Sequence, residues 1–444
     1  MEIGYTATDS VRDVIESLGR TEDVRFSPSN RRLAITAFHL NAIAIFDIDI
    51  TGSPGAKEVA LTRAVKFSSP SLDYPHGLDF IDEETVVVAC RGGDVPILKL
   101  PVDERADPSC DVLPAQVLRA GKLPFWKAPG SVSVVKSDRH SCETLVCNAG
   151  GNTVTRHRVD FGAECPLERS DVLLEKWLDI PDGVAVSADG QWIAISNHNA
   201  HNVMLYRNSP SLNQHSDPDG ILRSIYYPHG LRFSPNGRCM FVADAGSPYV
   251  FVYDNDGQGW DGVHDAVASF RVMDDSVYLR GRANPKEGGP KGIDIDRGMN
   301  VLVTTCECQP LAFFDLPALL ESAAAGRPHD GRHRISRQEQ YAFAMRFELD
   351  ALERANGSRA RAAQAEARAR HAEAAVAQAR SRAASAETGA ARAEARAAKA
   401  MARAAKAKAK AARAKARAGF VINGRPWRIT SPLSRLYSAL KRSN

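Results

Sequence analysis

Two imidazoles, two carboxylates and an ammonium occupy equivalent places in a repeated phrase: Glu22, His76, Asp182, His229 and Lys291, with Pro129 completing the set. Five of the six positions directly precede a glycine, and Glu22 precedes Asp23 instead. Imidazole with carboxylate suits a borderline divalent metal, whereas a carboxylate-rich set suits calcium. A divalent ion of either kind held by Glu22, His76, Asp182 and His229 would polarise a carbonyl and activate water, with Lys291 as electrophile. Without a metal, His76 or His229 would act as general base. The plainer alternative is that these His and Asp side chains cap local backbone.

A second set follows the next apolar stretch of each phrase: His39 and Asn41, Arg91 and Asp94, Asn148 and Asn152, Asn197, His198 and His201, Asp244, and Glu307. Asn197-His198-Asn199-Ala200-His201 is its densest part. Surface-loop hydrogen bonding accounts for these residues, and a ligand role is the sharper alternative.

Such residues act together only if something gathers them. Each phrase runs from a turn into a short strand, a polar turn, an apolar strand and a third strand, as in Tyr227-Pro228-His229-Gly230, LRFSPNGRCMFVADAG and YVFVYD. From Asp23 through Gly77, Gly130, Gly183 and Gly230 to Gly292, the steps are 54, 53, 53, 47 and 62 residues. A period near 50 with about four short strands per unit is the mark of a propeller blade. Periodicity of two within each unit excludes a helical solenoid. The sequence therefore predicts an all-β, six-bladed β-propeller whose symmetry brings the six positions to one mouth of the central channel. Each glycine is expected to permit a tight turn before the innermost strand. No fourth strand follows Asp315, so Val11–Leu18 is expected to close the ring as the outer strand of blade six.

Over residues 11–316 the chain resembles the lactonase-type propellers, a group that includes gluconolactonases, streptogramin lyases and phosphogluconolactonases. The resemblance rests on P-H-G-L-x-F-S-P-x-G-x-x-x-F-V-A-D, seen at Pro228–Asp244. It implies a metal-assisted hydrolase or lyase working at the central mouth. Glu22-x-x-x-Phe26 and Asp182 resemble two metal ligands of the gluconolactonase family, whose Asn ligand has no counterpart in this ring. Such propellers also serve as plain binding scaffolds.

The net charge of +4 conceals an asymmetry, because residues 395–444 hold fourteen Lys or Arg and no acid, leaving −10 on the preceding residues. The eight cysteines show no paired spacing, which favours reduced thiols and a cytoplasmic setting. MEIGYTATDS has neither a basic nor an apolar region of a signal peptide, and no run of about 18 apolar residues occurs.

Three regions are expected: a propeller over 1–330, an Ala-, Arg- and Lys-rich helix or coiled coil over 331–418, and a basic amphipathic tail over 419–444. The second is built of strong helix formers without a leucine-type seam. Residues 396–418 hold nine basic side chains but no aromatic for base stacking, so nucleic acid is not the expected partner. In the tail, Ser431-Pro432 opens a helix whose Leu433, Leu436, Tyr437 and Leu440 form one apolar stripe, suited to a partner protein or an anionic membrane surface. Trp427–Leu433, WRITSPL, resembles a segment beside coiled coils in bacterial glycosyltransferases and methyltransferases of surface-polysaccharide synthesis. That resemblance implies a cytoplasmic binding or scaffold module, peripheral to the inner membrane, associated with polysaccharide assembly. It would take a small molecule or glycan at the mouth and form oligomers through the helix. The metal-assisted lactonase-type enzyme is the alternative.

Overall fold

The computed structural model describes residues 2–101, 109–118, 126–138, 141–160, 167–282, 286–324 and 396–414. Its strands group into six sheets arranged as blades. Blade one runs outward through Thr21–Phe26, Arg32–Ala37, Ala42–Thr51 and Glu58–Ser68. Blades two to five begin at Pro75–Phe80, Pro129–Ser137, Pro181–Val186 and Pro228–Phe233, and blade six at Gly292–Ile295. Each of these inner strands contacts the next, and the last contacts the first, so the ring closes.

Period-two alternation explains how the blades stack. In the strand Thr85–Cys90, Val86, Val88 and Cys90 face an apolar cluster shared with blade one, while Val87 and Ala89 face one shared with blade three. A comparable cluster fills every other gap between blades. The hairpin turns follow their chemistry: Asn30, Gly190 and Gly237 take left-handed φ values of 61°, 69° and 69°.

Ring closure differs from the expectation. The fourth strand of blade six is Glu2–Ile3, antiparallel to Ala312–Asp315 with Ile3 opposite Phe313. Tyr5–Ala7 then lies parallel to Glu58–Ser68 at the edge of blade one. The segment expected as a strand lies mostly in a helix, Asp9–Ser17, capped at Thr8, whose side chain accepts from Val11 N at 3.4 Å. Its apolar residues explain why: Val11, Val14, Ile15 and Leu18 recur at helical spacing, and they cover the cluster between blades six and one.

The phrase glycines also act differently. Gly77, Gly130, Gly183, Gly230 and Gly292 have no left-handed φ, so their purpose is space. A Cβ on Gly183 would lie 2.1 Å from the His229 carbonyl oxygen, and one on Gly292 2.7 Å from Asp23 Cα. Bare glycine lets neighbouring inner strands approach closely around the channel.

After Asp315 the chain turns helical at Leu316–Ala324, burying Leu316 and Leu319. Residues 396–414 form a helix exposed along its whole length. The expectations for residues 325–395 and 415–444, among them the coiled coil and the amphipathic tail, lie outside the described residues.

Candidate functional site

The inner strands open with an irregularity that turns side chains inward. Register shifts fall between Pro75 and Gly77 and between Pro181 and Gly183, leaving His76 and Asp182 outside the ladder. Thr21–Val24 and Pro228–Leu231 shift similarly around Glu22 and His229. The five polar members of the ring therefore meet at one place, and all are buried.

Glu22 stands at the centre. Its Oε1 accepts from Lys291 Nζ at 3.1 Å and from Arg20 Nε. Its Oε2 lies 3.6 Å from His76 Nε2 and 3.6 Å from His229 Nε2, and has no hydrogen-bond partner. His229 Nε2 is also 3.5 Å from Asp182 Oδ2. His76 Nδ1 donates to the Gly130 carbonyl at 2.6 Å, which leaves the lone pair on Nε2. Arg91 Nη2 approaches that atom at 3.0 Å and also donates to Asp182 Oδ1.

A further layer supports this one. Glu287 accepts from Lys291 Nζ at 3.2 Å and lies 3.3 Å from His198 Nε2. Arg20 Nε, besides meeting Glu22, lies 3.3 Å from Glu307.

Electrostatics sort the groups into charged and neutral. Burial would raise the Glu22 carboxyl, but Lys291, His76 and Arg20 hold it down at about 2. Burial likewise opposes the ionisation of Asp182, and Arg91 overrides it, keeping that carboxyl well below its usual range. Burial and then Arg91 push His76 down to about 3, and burial lowers His229. Both imidazoles are therefore neutral at physiological pH. His198 goes the other way, since its bond to Glu287 raises it in spite of burial. Lys291 is raised by Glu22 and Glu287 against the cost of burial.

Beneath the mouth lies a second charged layer. Asp23 accepts from Leu78 N at 3.1 Å, Asp79 from Val134 N at 2.7 Å and Asp294 from Phe26 N at 2.7 Å, each bond crossing to the neighbouring blade. Arg25 pairs with Asp23 at 3.0 Å and Asp79 at 3.6 Å, and Arg232 with Asp294 at 3.1 Å. Burial raises all three carboxyls, Asp79 to about 6 and Asp294 to about 7. Between the layers is a cavity of about 10 Å³ lined by Glu22, His76, Asp182 and His229 above and by Asp23 and Arg232 below. That volume suits about one water or one ion.

The phrase symmetry thus brings together Glu22, His76, Asp182, His229 and Lys291, while Pro129 adds no polar atom. The second set divides. Arg91, His198 and Glu307 join the network, whereas Asn41, Asn152 and Asn197 accept from the backbone of Tyr74, Ile180 and Asp179 at 2.9, 2.9 and 2.5 Å. Asp244 holds Tyr227 N at 2.8 Å in the same way. Arg20 and Glu287 escaped the sequence reading, because neither occupies a repeated position. Cys306 and Cys308 are free thiols, and burial pushes Cys306 up to about 11.

No family model matches the chain, and no curated protein matches it. Among solved structures it is similar to a protein described as a candidate 6-phosphogluconolactonase from Bacteroides fragilis NCTC 9343. The identity is 12% and the TM-score 0.42, over 66% of this chain and 79% of that one. A functionally unknown protein from Desulfotomaculum acetoxidans DSM 771 gives 11% and 0.44 over 67% and 82%. Likenesses this distant lend the mouth no activity, and its chemistry is argued from its own atoms.

Proposed function

We propose that the mouth is a divalent-cation site, with Glu22, His76, His229 and Asp182 as ligands, serving a metal-assisted hydrolase or lyase of the lactonase type. One observation carries this reading: Glu22 Oε2, ionised and fully buried, has no hydrogen-bond partner and lies equally close to two neutral imidazole nitrogens. A buried carboxylate oxygen left without a partner is costly. Glu22 Oε2 is 3.6 Å from each imidazole nitrogen and the three donor atoms lie within 4.8 Å of one another. The side chains need only a small inward shift to share one ion, whose donors at about 2.1 Å bonds stand at most about 4.2 Å apart.

When bound, such an ion polarises a carbonyl and lowers the pKa of a water. The chain's own residues prepare the place. Lys291 is engaged by both Glu22 and Glu287, so its part is to orient Glu22 and keep it ionised rather than to act as a free electrophile. Arg91 covers the His76 lone pair and must release it for that imidazole to bind a cation, while it can retain Asp182. His198, whose pKa its bond to Glu287 raises against the cost of burial, lies 3.9 Å from Asp182 and is placed to supply a proton at the mouth.

The test is titration of Zn²⁺, Mn²⁺ and Ca²⁺ into the full chain and into Glu22→Gln by calorimetry. One equivalent should bind the wild type, and Glu22→Gln should weaken it by about a hundredfold or more. Absence of binding at millimolar ion would end the metal reading and favour the scaffold module, which rests on the tail.

A further inference from the structure

The helix over 396–414 contains only Ala, Lys, Arg and one Met, and every residue in it is exposed. Its cations are not scattered. Arg396, Lys399, Arg403, Lys406, Lys410 and Arg413 follow one another at spacings of three and four residues, the spacing that a coiled coil gives to leucines. At 3.6 residues per turn these six fall within an arc of about 100°, in a row about 25 Å long. Lys408 alone among the basic residues lies on the far side, with Met401 and alanines. The one-sided placing of charge, rather than its amount, reverses the expectation drawn from composition.

We propose that this stripe is a docking surface for duplex DNA, bound through its phosphates without regard to sequence. A row of cations about 5 Å apart matches a linear polyanion, and a duplex presents one phosphate charge per about 1.7 Å of axis. Alanine elsewhere on the cylinder keeps the helix thin enough for close approach, and a major groove about 12 Å wide admits a helix. No acid opposes the contact, and no Asn, Gln or acidic side chain in the helix would read adenine or cytosine edges. The alternatives fit the residues less well. Single strands are gripped by stacking on aromatics, and the helix has none. Interfacial membrane helices bury a face of Trp, Phe or Leu, and here the face opposite the cations is Ala, Met401 and Lys408.

Fluorescence anisotropy of the full-length protein with a 24-base-pair duplex of arbitrary sequence tests the proposal. Six phosphate contacts predict a loss of affinity of about a thousandfold between 50 and 200 mM salt. Arg396→Gln, Lys399→Gln, Arg403→Gln, Lys406→Gln, Lys410→Gln and Arg413→Gln together should weaken binding at 50 mM by at least about a hundredfold. A second variant preserves charge and helix formers while scattering the cations around the helix: Lys399→Ala, Lys406→Ala and Lys410→Ala with Ala398→Lys, Ala405→Lys and Ala411→Lys. It should bind at least about tenfold more weakly, with a shallower salt slope. Equal binding by this rearranged variant would show that net charge alone acts, and would overturn the proposal. Absence of duplex binding at 50 mM salt would overturn it too, as would tighter binding to a single strand or to phosphatidylserine-containing vesicles.

Discussion

His76 and His229 lie face to face across the mouth, their ring centroids 5.2 Å apart and their planes inclined by 27°. Their blades are three apart in a ring of six, so the channel itself sets this pairing. Both rings are buried and neutral, which frees them from competition with protons. Two ordinary imidazoles would cost a metal several hundredfold in affinity between pH 7 and 5. Here the affinity should change by less than about 25-fold over that range, because His76 titrates at about 3 and burial lowers His229 as well. Calorimetric titrations at both pH values measure it, and a drop of two decades would mean that the imidazoles protonate.

Arg91→Met removes the guanidinium that covers His76 Nε2 and pairs with Asp182. A buried carboxylate deprived of its partner costs about 3 kcal/mol or more. The melting temperature in EDTA should therefore fall, and Zn²⁺ should restore it more fully than it stabilises the wild type. Failure of Zn²⁺ to restore it would count against a cation site at Asp182.

Stability should rise from acid pH and level off just above neutrality. Burial lowers His76 to about 3, His157 to about 4 and His229 in the same direction. The unfolded chain takes up protons on these rings below pH 6.5, so acid destabilises the fold. The lower layer holds three carboxyls against two guanidiniums, and one shared proton brings it to neutrality. That proton is bound near pH 6–7 in the folded state, with Asp79 at about 6 and Asp294 at about 7, but is absent from the unfolded chain above pH 5. The lower layer therefore loses on the order of 1 kcal/mol between pH 6.5 and 8, which offsets the gain of about 0.4 kcal/mol that each depressed imidazole still makes there, so the curve levels off. Urea titrations across this range give the curve, and Asp294→Asn should let stability go on rising above pH 6.5. A wild-type curve still rising at pH 8 contradicts the shared proton.

Removing residues 1–7 deletes both the outer strand of blade six and the short strand beside blade one. The exposed edge and the uncovered Phe313 face should cost several kcal/mol in urea unfolding while leaving the helix Asp9–Ser17 in place. An unchanged midpoint would mean that the Glu2–Ile3 pairing contributes nothing.

Gly183→Ala places a methyl 2.1 Å from the His229 carbonyl. Two inner strands must separate, so both the melting temperature and divalent-ion affinity should fall together. Loss of stability with unchanged affinity would show that the ring tolerates the shift.

Repetition made the ring legible. Glu22, His76, Asp182, His229 and Lys291 could be picked out because symmetry gives equivalent positions equivalent places, whatever the side chain. Arg20 and Glu287 belong to no repeated position, and each reaches the mouth with a long side chain from its own stretch of backbone. Period counting cannot see that reach. Charge balance is the signal that was available: two carboxylates and one ammonium buried at one mouth require a further cation, and with Arg20 and Arg91 both present Glu287 restores neutrality. The misplaced closing strand had a local cause. Val11, Val14, Ile15 and Leu18 carry a helical period, and local periodicity prevails over the ring's need for a closing strand.

Glu2–Ile3 meets Phe313 and Phe314 across some 310 positions of sequence. During synthesis the first residues of the ring must wait for nearly all the rest before their partner strand exists. Contacts of such long range are slow to form, because a large loop must be closed before they yield any stabilisation. Blade six is therefore expected to be the last completed. Until then its Ala312–Asp315 edge offers open backbone groups to any other extended segment, including the first residues of a second copy, so refolding yield should fall as protein concentration rises.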